Sequence, residues 1–200
     1  MKDEQIIKLD AAKRYLLGRC KVFPRFVIVL GSGLSGVLDD LDVEEEILYS
    51  DIPHVMTPTV EGHRNRLLIG KLKGTRIACM QGRLHYYEGF SMREVVFPFR
   101  ALAHAGAEVF LLTNAAGGLH EKMKPLDLLL IRDHINLMGT NPLLGENCDA
   151  LGPRFPDMTR LYDEKLSKIF VAMARRLKIP LRTGVYVAIH GPSYETPAEI

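Results

Sequence analysis

Residues 31–36 read GSGLSG and directly follow the apolar run FVIVL at 26–30. Glycines spaced G-x-G-x-x-G after a predicted strand are typical of a turn that holds a phosphate group. The backbone N–H groups of such a turn and the hydroxyl of Ser32 can both donate hydrogen bonds to phosphate oxygens. Two interpretations stay open: the turn holds the pyrophosphate of a dinucleotide, or it holds a phosphate that takes part in a reaction.

The first interpretation predicts an NAD-dependent oxidoreductase that uses Gly31, Gly33 and Gly36. Such a site also needs a crossover helix and an acidic residue about twenty positions further on, which binds the ribose hydroxyls. Asp51 has about that spacing, but it is followed by IPHVMTPTVEGHRNR, which has no helical pattern. The sequence therefore keeps the oxidoreductase only as the alternative function.

Further residues that suit a phosphate lie beside other predicted strands. The segment EGHRNR (61–66) brings His63, QGRLHYYEG (81–89) brings Arg83, His85 and Tyr87, and NAAGG (114–118) brings small residues that let backbone amides approach a ligand closely. Taken singly, these are also ordinary loop histidines, ion-pair partners, packing residues or a sharp turn. Together, a guanidinium, an imidazole and a hydroxyl suit inorganic phosphate.

Other chemistries lack their motifs. The chain has no G-x-x-x-x-G-K-[ST], no G-x-S-x-G and no H-E-x-x-H, and its three cysteines form no C-x-x-C. We therefore expect no catalytic metal. The balance of 26 Lys and Arg against 24 Asp and Glu argues against nucleic acid as a partner. The N-terminus does not look like a secretion signal, and no apolar run is long enough to span a membrane, so we expect a cytoplasmic protein.

The elements that would position these residues alternate between strands and helices. Lys73-Gly74 separates two of the strands and predicts a hairpin, so the sheet must be mixed. The predicted fold is α/β, a single domain over 1–200 with a central, largely parallel sheet flanked by helices. The predicted strands are 26–30, 66–72, 75–80, 108–113, 127–132 and 183–189, and the predicted helices are 3–20, 91–105 (interrupted by Pro98) and 160–178.

Seven segments in this order resemble the trimeric family of purine nucleoside phosphorylases: GSGLSG, VEGHRNR, QGRLHYYEG, TNAAGGL, IRDHINL, GPRFPDM and GPSYETPAE. The uninterrupted HINLMGTNPL is more similar to bacterial members. The resemblance implies a phosphorylase fold, a homotrimer and phosphorolysis of inosine or guanosine, with phosphate as a substrate rather than a cofactor. It also implies that the chain lacks a C-terminal part, so an inactive truncated phosphorylase fragment stays open as a further alternative.

The resemblance also implies roles for individual residues. The phosphate would be bound by Ser32, His63, Arg83, His85 and the backbone amide of Ala115. The nucleoside would be bound by Tyr87, Asn114, Tyr194 and Glu195, and by Phe155 reaching in from a neighbouring subunit. Of these residues, His85, Asn114 and Glu195 would act in catalysis, Glu195 by holding the purine N1–H.

Overall fold

The computed structural model describes residues 2–31, 33–58 and 64–200. The chain divides into two compact units, Met1–Ala116 and Gly117–Ile200, which are called unit 1 and unit 2 below. That residues 1–200 form a single domain stays a prediction. Among the described residues, no helix is both long enough and apolar enough to cross a membrane.

Unit 1 is built around a five-stranded mixed sheet in the order β2-β3-β4-β1-β5. The strand β1 runs parallel to both β4 and β5, whereas β2, β3 and β4 are antiparallel neighbours. The α/β prediction with a mixed sheet is therefore confirmed. The elements of unit 1 are α1 (Lys2–Arg19), β1 (Phe26–Leu30), β2 (Leu41–Leu48), β3 (Arg66–Leu72), β4 (Thr75–Gln81), α2 (Met92–Ala105) and β5 (Val109–Leu112).

The hairpin predicted from Lys73-Gly74 joins β3 to β4. Both turn residues have positive φ, 48° at Lys73 and 83° at Gly74, as a two-residue turn between right-twisted strands requires. Leu72 therefore pairs directly with Thr75. This turn fixes the register of β4, and with it the point at which the loop carrying Arg83 begins.

Both faces of the sheet are buried, which explains why its central strands are continuous apolar runs. One cluster packs the inward residues of α1 and α2 against the sheet, with Val27 and Val29 of β1 at its centre. A second, smaller cluster around Leu30, Leu68 and Cys79 covers the other face. The strand that leads into the glycine turn therefore lies in the middle of the core.

The strand β2 was not predicted from the sequence. Its segment LDVEEEIL carries three consecutive glutamates, which pair with arginines of α1, β3 and β4: Glu45 with Arg19, Glu46 with Arg66 and Glu44 with Arg76. The strand lies at the edge of the sheet, where charged side chains also prevent pairing with another chain.

The helix α2 runs through Pro98 without interruption, so the predicted break is wrong. A proline in a helix removes one backbone hydrogen bond, but Pro98 is buried in the core and packing holds the helix together. The first turn is also well capped, because Ser91 and Glu94 accept hydrogen bonds from each other's backbone N–H.

Unit 2 contains the parallel strands β6 (Leu128–Asn136) and β7 (Leu181–Ala188) and the helix α3 (Glu164–Arg176). The helix begins later than the predicted residue 160, because the side chain of Asp163 caps it by accepting from the N–H of Leu166 at 2.8 Å. A long segment, 137–163, connects β6 to α3 and includes the GPRFPDM motif.

Candidate functional site

Three loops begin side by side at one edge of the unit 1 sheet. In the register of the parallel strands, Leu30 of β1 pairs with Gln81 of β4, and Val29 pairs with Leu112 of β5. Neighbouring strands lie about 4.8 Å apart. The loops that start at Gly31, Gly82 and Thr113 are therefore adjacent, at the carboxyl end of the strands where α/β sheets bind ligands.

The hydroxyl of Thr113 joins the glycine turn to the NAAGG loop. It accepts a hydrogen bond from the N–H of Gly31 at 2.8 Å and donates one to the carbonyl of Val29 at 2.8 Å. A Cβ at Gly31 would lie 2.8 Å from the Cα of Asn114, so only glycine permits this approach. The two small-residue loops thus form one continuous backbone surface, in which Asn114 and Ala115 are exposed.

The geometry of the glycine turn does not favour a dinucleotide. Gly33 has φ 82°, and the chain then forms a six-residue 3-10 helix, Ser35–Asp40, instead of an α-helix. The next strand, β2, is antiparallel to its neighbour, and Asp51 lies in a short 3-10 turn. The crossover helix and parallel strand of a dinucleotide-binding unit are therefore replaced by other elements, and the oxidoreductase alternative is not supported.

The loop after β4 holds His85 in a defined orientation. One carboxylate oxygen of Glu88 accepts from the backbone N–H of His85 at 2.9 Å and lies 3.0 Å from its Nδ1. The ring of Tyr87 stacks on the imidazole with centroids 4.9 Å apart and planes 15° apart. The carboxylate and the stacked ring together fix the orientation of the imidazole.

The side chain of Glu88 is buried in this loop, with 2% of its surface exposed. Arg83, two residues before His85, is partly buried, whereas Leu84 between them lies in the core. Successive side chains of an extended segment point to opposite sides, so Arg83 and His85 lie on the side opposite Leu84. The structure thus places Arg83, His85 and Tyr87 in the loop after β4, and Asn114 and Ala115 in the loop after β5, at the same edge of the unit 1 sheet.

Two predicted phosphate ligands, Ser32 and His63, lie outside the described residues. Thr113 and Glu88, in contrast, were not assigned a role from the sequence. Glu88 had a local signal, because it stands three residues after His85 as the capping residue of a short turn does. Thr113 had none, since its partners are more than 80 residues earlier in the chain.

The remaining predicted residues belong to unit 2, where they are exposed. Phe155 is 87% and Tyr194 is 94% exposed. The guanidinium of Arg154 donates from Nη1 to two carbonyls of its own loop at 2.8 Å each, and lies over the ring of Phe155. The turn near the C-terminus is capped by Glu199, which accepts from the N–H of Thr196 at 2.7 Å, so capping does not account for Glu195.

The structure shows no metal site in the residues that it describes. Within residues 2–31, 33–58 and 64–200, no three His, Cys, Asp or Glu side chains are placed to hold a metal ion. What the edge offers is a set of donors, namely backbone amides, a guanidinium and an imidazole. Such a set suits an anion.

Comparison with known proteins gives consistent matches. A family model described as the phosphorylase superfamily matches residues 25–200. A Bacillus subtilis purine nucleoside phosphorylase 1 is 44% identical over 193 residues, which cover 96% of this chain and 71% of that protein. The enzyme of the same name from Geobacillus stearothermophilus is 46% identical, with 96% and 70% covered, and the mouse purine nucleoside phosphorylase is 41% identical, with 95% and 68% covered.

Solved structures agree with these relatives. The purine nucleoside phosphorylase of Schistosoma mansoni in complex with acetate superimposes with a TM-score of 0.91 at 36% identity, covering 97% of this chain and 73% of that one. Isoform 2 from the same organism, in complex with cytosine and ribose-1-phosphate, gives a TM-score of 0.88 at 39% identity, with 96% and 69% covered.

Proposed function

Because the chain belongs to the phosphorylase superfamily and, within it, to the purine nucleoside phosphorylases, we propose that the sheet edge of unit 1 binds the phosphate that these enzymes consume. The chain is a pentosyltransferase of nucleoside metabolism, and its reaction is the phosphorolysis of purine nucleosides. The family predicted from the seven motifs is thereby confirmed.

One observation supports the phosphate assignment above the others. The hydroxyl of Thr113 fastens the glycine turn to the NAAGG loop, next to the loop that carries Arg83 and His85. Backbone amides, a guanidinium fork and an imidazole then lie at the ends of three adjacent strands. Phosphate dianion is the substrate that matches donors of this number and kind.

The chemistry needs little more than a well-placed phosphate. The bond between the anomeric carbon and the purine nitrogen breaks with its electron pair leaving on the base, and positive charge builds on the ribosyl ring. The phosphate stabilises that charge and then attacks the anomeric carbon, giving α-ribose-1-phosphate. The base leaves as an anion or takes up a proton, so no side chain has to act as a covalent nucleophile.

The choice of purine is assigned to Glu195, with Tyr194 stacking on the base. A carboxylate accepts from the N1–H and the 2-amino group of guanine, and from the N1–H of hypoxanthine, whereas adenine presents a lone pair at N1. Sites that pair a polar group of the substrate reject an analogue without it by about 10⁴-fold or more. Inosine and guanosine are therefore the proposed substrates.

Phe155 is assigned to the nucleoside site of a neighbouring copy of the chain, into which it reaches within a homotrimer. The ring of Phe155 is 87% exposed, lies between two prolines and is covered on one face by the guanidinium of Arg154, and these features support its use as an anchor that fills a partner's pocket. A cytoplasmic location is part of the same proposal. It is supported by Cys20, Cys79 and Cys148, which are buried and form no disulfide.

The phosphate site is tested by Arg83→Ala. A hydrogen bond to a charged group contributes about 1.5–3 kcal/mol, so we expect the KM for phosphate to rise roughly ten- to hundred-fold, with the KM for inosine little changed. Arg25→Ala is the matched control, because Arg25 pairs with Glu108 at the opposite end of β1. Phosphate kinetics that are the same in both variants would remove Arg83 from the site.

The purine assignment is tested separately with Glu195→Gln. We expect a disproportionate loss of activity on inosine relative to adenosine, measured as the ratio of kcat/KM values. Glu199→Gln serves as the control, since its carboxylate caps the same turn. Comparable cleavage of inosine and adenosine by the wild-type enzyme would reject Glu195 as the base-reading residue.

A further inference from the structure

Tyr49 lies immediately after β2, and its side chain is in the core with 2% of its surface exposed. The ring lines a small apolar void together with Leu16, Leu67 and Met80. A phenol hydroxyl in such surroundings needs a hydrogen-bond partner, because a buried polar group without one is strongly destabilising. The partner is the carbonyl of Gly82, to which the hydroxyl donates at 2.7 Å.

This hydrogen bond acts on the peptide that leads into the candidate phosphate loop. The C=O of Gly82 and the N–H of Arg83 belong to the same planar peptide group, so fixing one fixes the other. Gly82 has φ 105°, a conformation that side-chain-bearing residues rarely adopt, and its own torsions therefore constrain the loop weakly. The direction in which the chain leaves β4 is consequently set from outside the loop, by the hydroxyl of Tyr49.

Tyr49 contacts a second segment at the same edge of the sheet. Its backbone N–H donates to the carbonyl of Asn65 at 2.9 Å, and the side-chain amide of Asn65 donates to the carbonyl of Pro58 at 3.0 Å. One buried residue thus joins the start of β3 to the end of β4. Burial also raises the pKa of the Tyr49 phenol, so the hydroxyl keeps its proton, and remains a donor, at any working pH.

We propose that Tyr49 is a positioning residue for phosphorolysis: its buried hydroxyl orients the Gly82–Arg83 peptide and so holds Arg83 and His85 in the arrangement that binds phosphate. This inference rests on the proposed function of those two residues as phosphate ligands. Tyr49 itself touches no substrate. It acts through the loop, and its removal changes phosphate binding more than nucleoside binding.

The test is Tyr49→Phe, which removes only the hydroxyl. We expect the KM for phosphate to rise roughly three- to thirty-fold, because small misplacements of binding groups have effects up to about a hundred-fold. The KM for inosine at saturating phosphate should change less than about twofold. Leu9→Val is the matched control: it removes one carbon from the same core on α1 and weakens packing without touching the loop.

Both variants are assayed at a temperature where circular dichroism shows them fully folded. A phosphate KM in Tyr49→Phe that stays within twofold of the wild type overturns the inference, and so does an equal rise in the KM values for phosphate and inosine. An equal phosphate effect in Leu9→Val also overturns it, since loss of core packing would then suffice.

Arg83→Ala, measured in parallel, separates the inference from the function on which it rests. If Arg83→Ala raises the phosphate KM and Tyr49→Phe does not, the positioning role is wrong and the phosphate site stands. If Arg83→Ala leaves the phosphate KM unchanged, both are wrong. The phosphate-induced rise in Tm provides a second readout that needs no turnover, and it should be smaller in Tyr49→Phe than in Leu9→Val.

Discussion

Replacing Thr113 by valine would remove the hydroxyl that joins β5 to the glycine turn while keeping the shape of the side chain. The hydroxyl makes two hydrogen bonds of 2.8 Å, one from the N–H of Gly31 and one to the carbonyl of Val29. A Cβ at Gly31 would collide with Asn114, so the two backbones are already as close as they can be. The turn has no room to find the lost partner elsewhere.

The size of the effect follows from these two bonds. A neutral hydrogen bond contributes about 1 kcal/mol net, so losing both costs about 2 kcal/mol of the free energy of unfolding. For a chain of 200 residues, each kcal/mol corresponds to roughly 2–4 °C, so the Tm should fall by about 4–8 °C. Affinity for phosphate should fall as well, because the amides of the glycine turn are no longer held in place.

Differential scanning fluorimetry with and without phosphate measures both quantities, and Thr113→Ser is the control. Serine keeps the hydroxyl and loses only a methyl group, so its Tm and its phosphate-induced shift should stay near those of the wild type. The reasoning is refuted if valine and serine behave alike, or if valine changes neither the Tm nor the shift.

Three further predictions concern other parts of the chain. In Glu88→Ala, the buried carboxylate that orients His85 is lost, and steady-state kinetics should give a phosphate KM raised about tenfold or more, with the KM for inosine nearly constant; equal changes would contradict this. Arg154→Met should loosen the loop that presents Phe155 and raise the KM for the nucleoside several-fold. In a Phe155→Ala background the same change should leave this KM unaltered; additive effects would show that Arg154 acts independently. Burial raises the pKa of the Cys79 thiol to about 11, so this residue should resist alkylation at pH 8 until the protein unfolds. Because the unfolded thiol loses its proton first, the contribution of Cys79 to stability is present below pH 9 and declines as pH rises from about 9 to 11; an equal decline in Cys79→Ala would argue against it.

The elements that local sequence determines were predicted well. β1 and the β3–β4 hairpin have apolar runs and a turn dipeptide that few other structures accommodate, and they form where expected. Arg83 and His85 were identified because their residue types suit phosphate and because they directly follow a strand. The orientation of His85 was not predicted, although Glu88, which fixes it, stands only three residues later in the chain.

The features that sequence did not predict depend on distant partners. β2 has too many glutamates to look like a strand, and it forms because arginines of three other elements neutralise them. Thr113 and Tyr49 are unremarkable in sequence, and their hydrogen-bond partners lie more than 80 and 33 residues away. Such contacts are set by the topology of the sheet, which no local pattern encodes.

The central place of β1 also determines when the protein can acquire its binding site during synthesis. Phe26 pairs with Ile77 and with Val109, so the strand leaves the ribosome 51 and 83 residues before its two neighbours do. Contacts so far apart in sequence form slowly, and until they form the apolar strand is exposed to other chains. Phosphate cannot accelerate the pairing of these strands, because the loops proposed to bind it come together only when β5 docks beside β1. A nascent chain of this protein is therefore most vulnerable to aggregation between the synthesis of β1 and that of β5, which makes this interval the one in which a chaperone would be of most use.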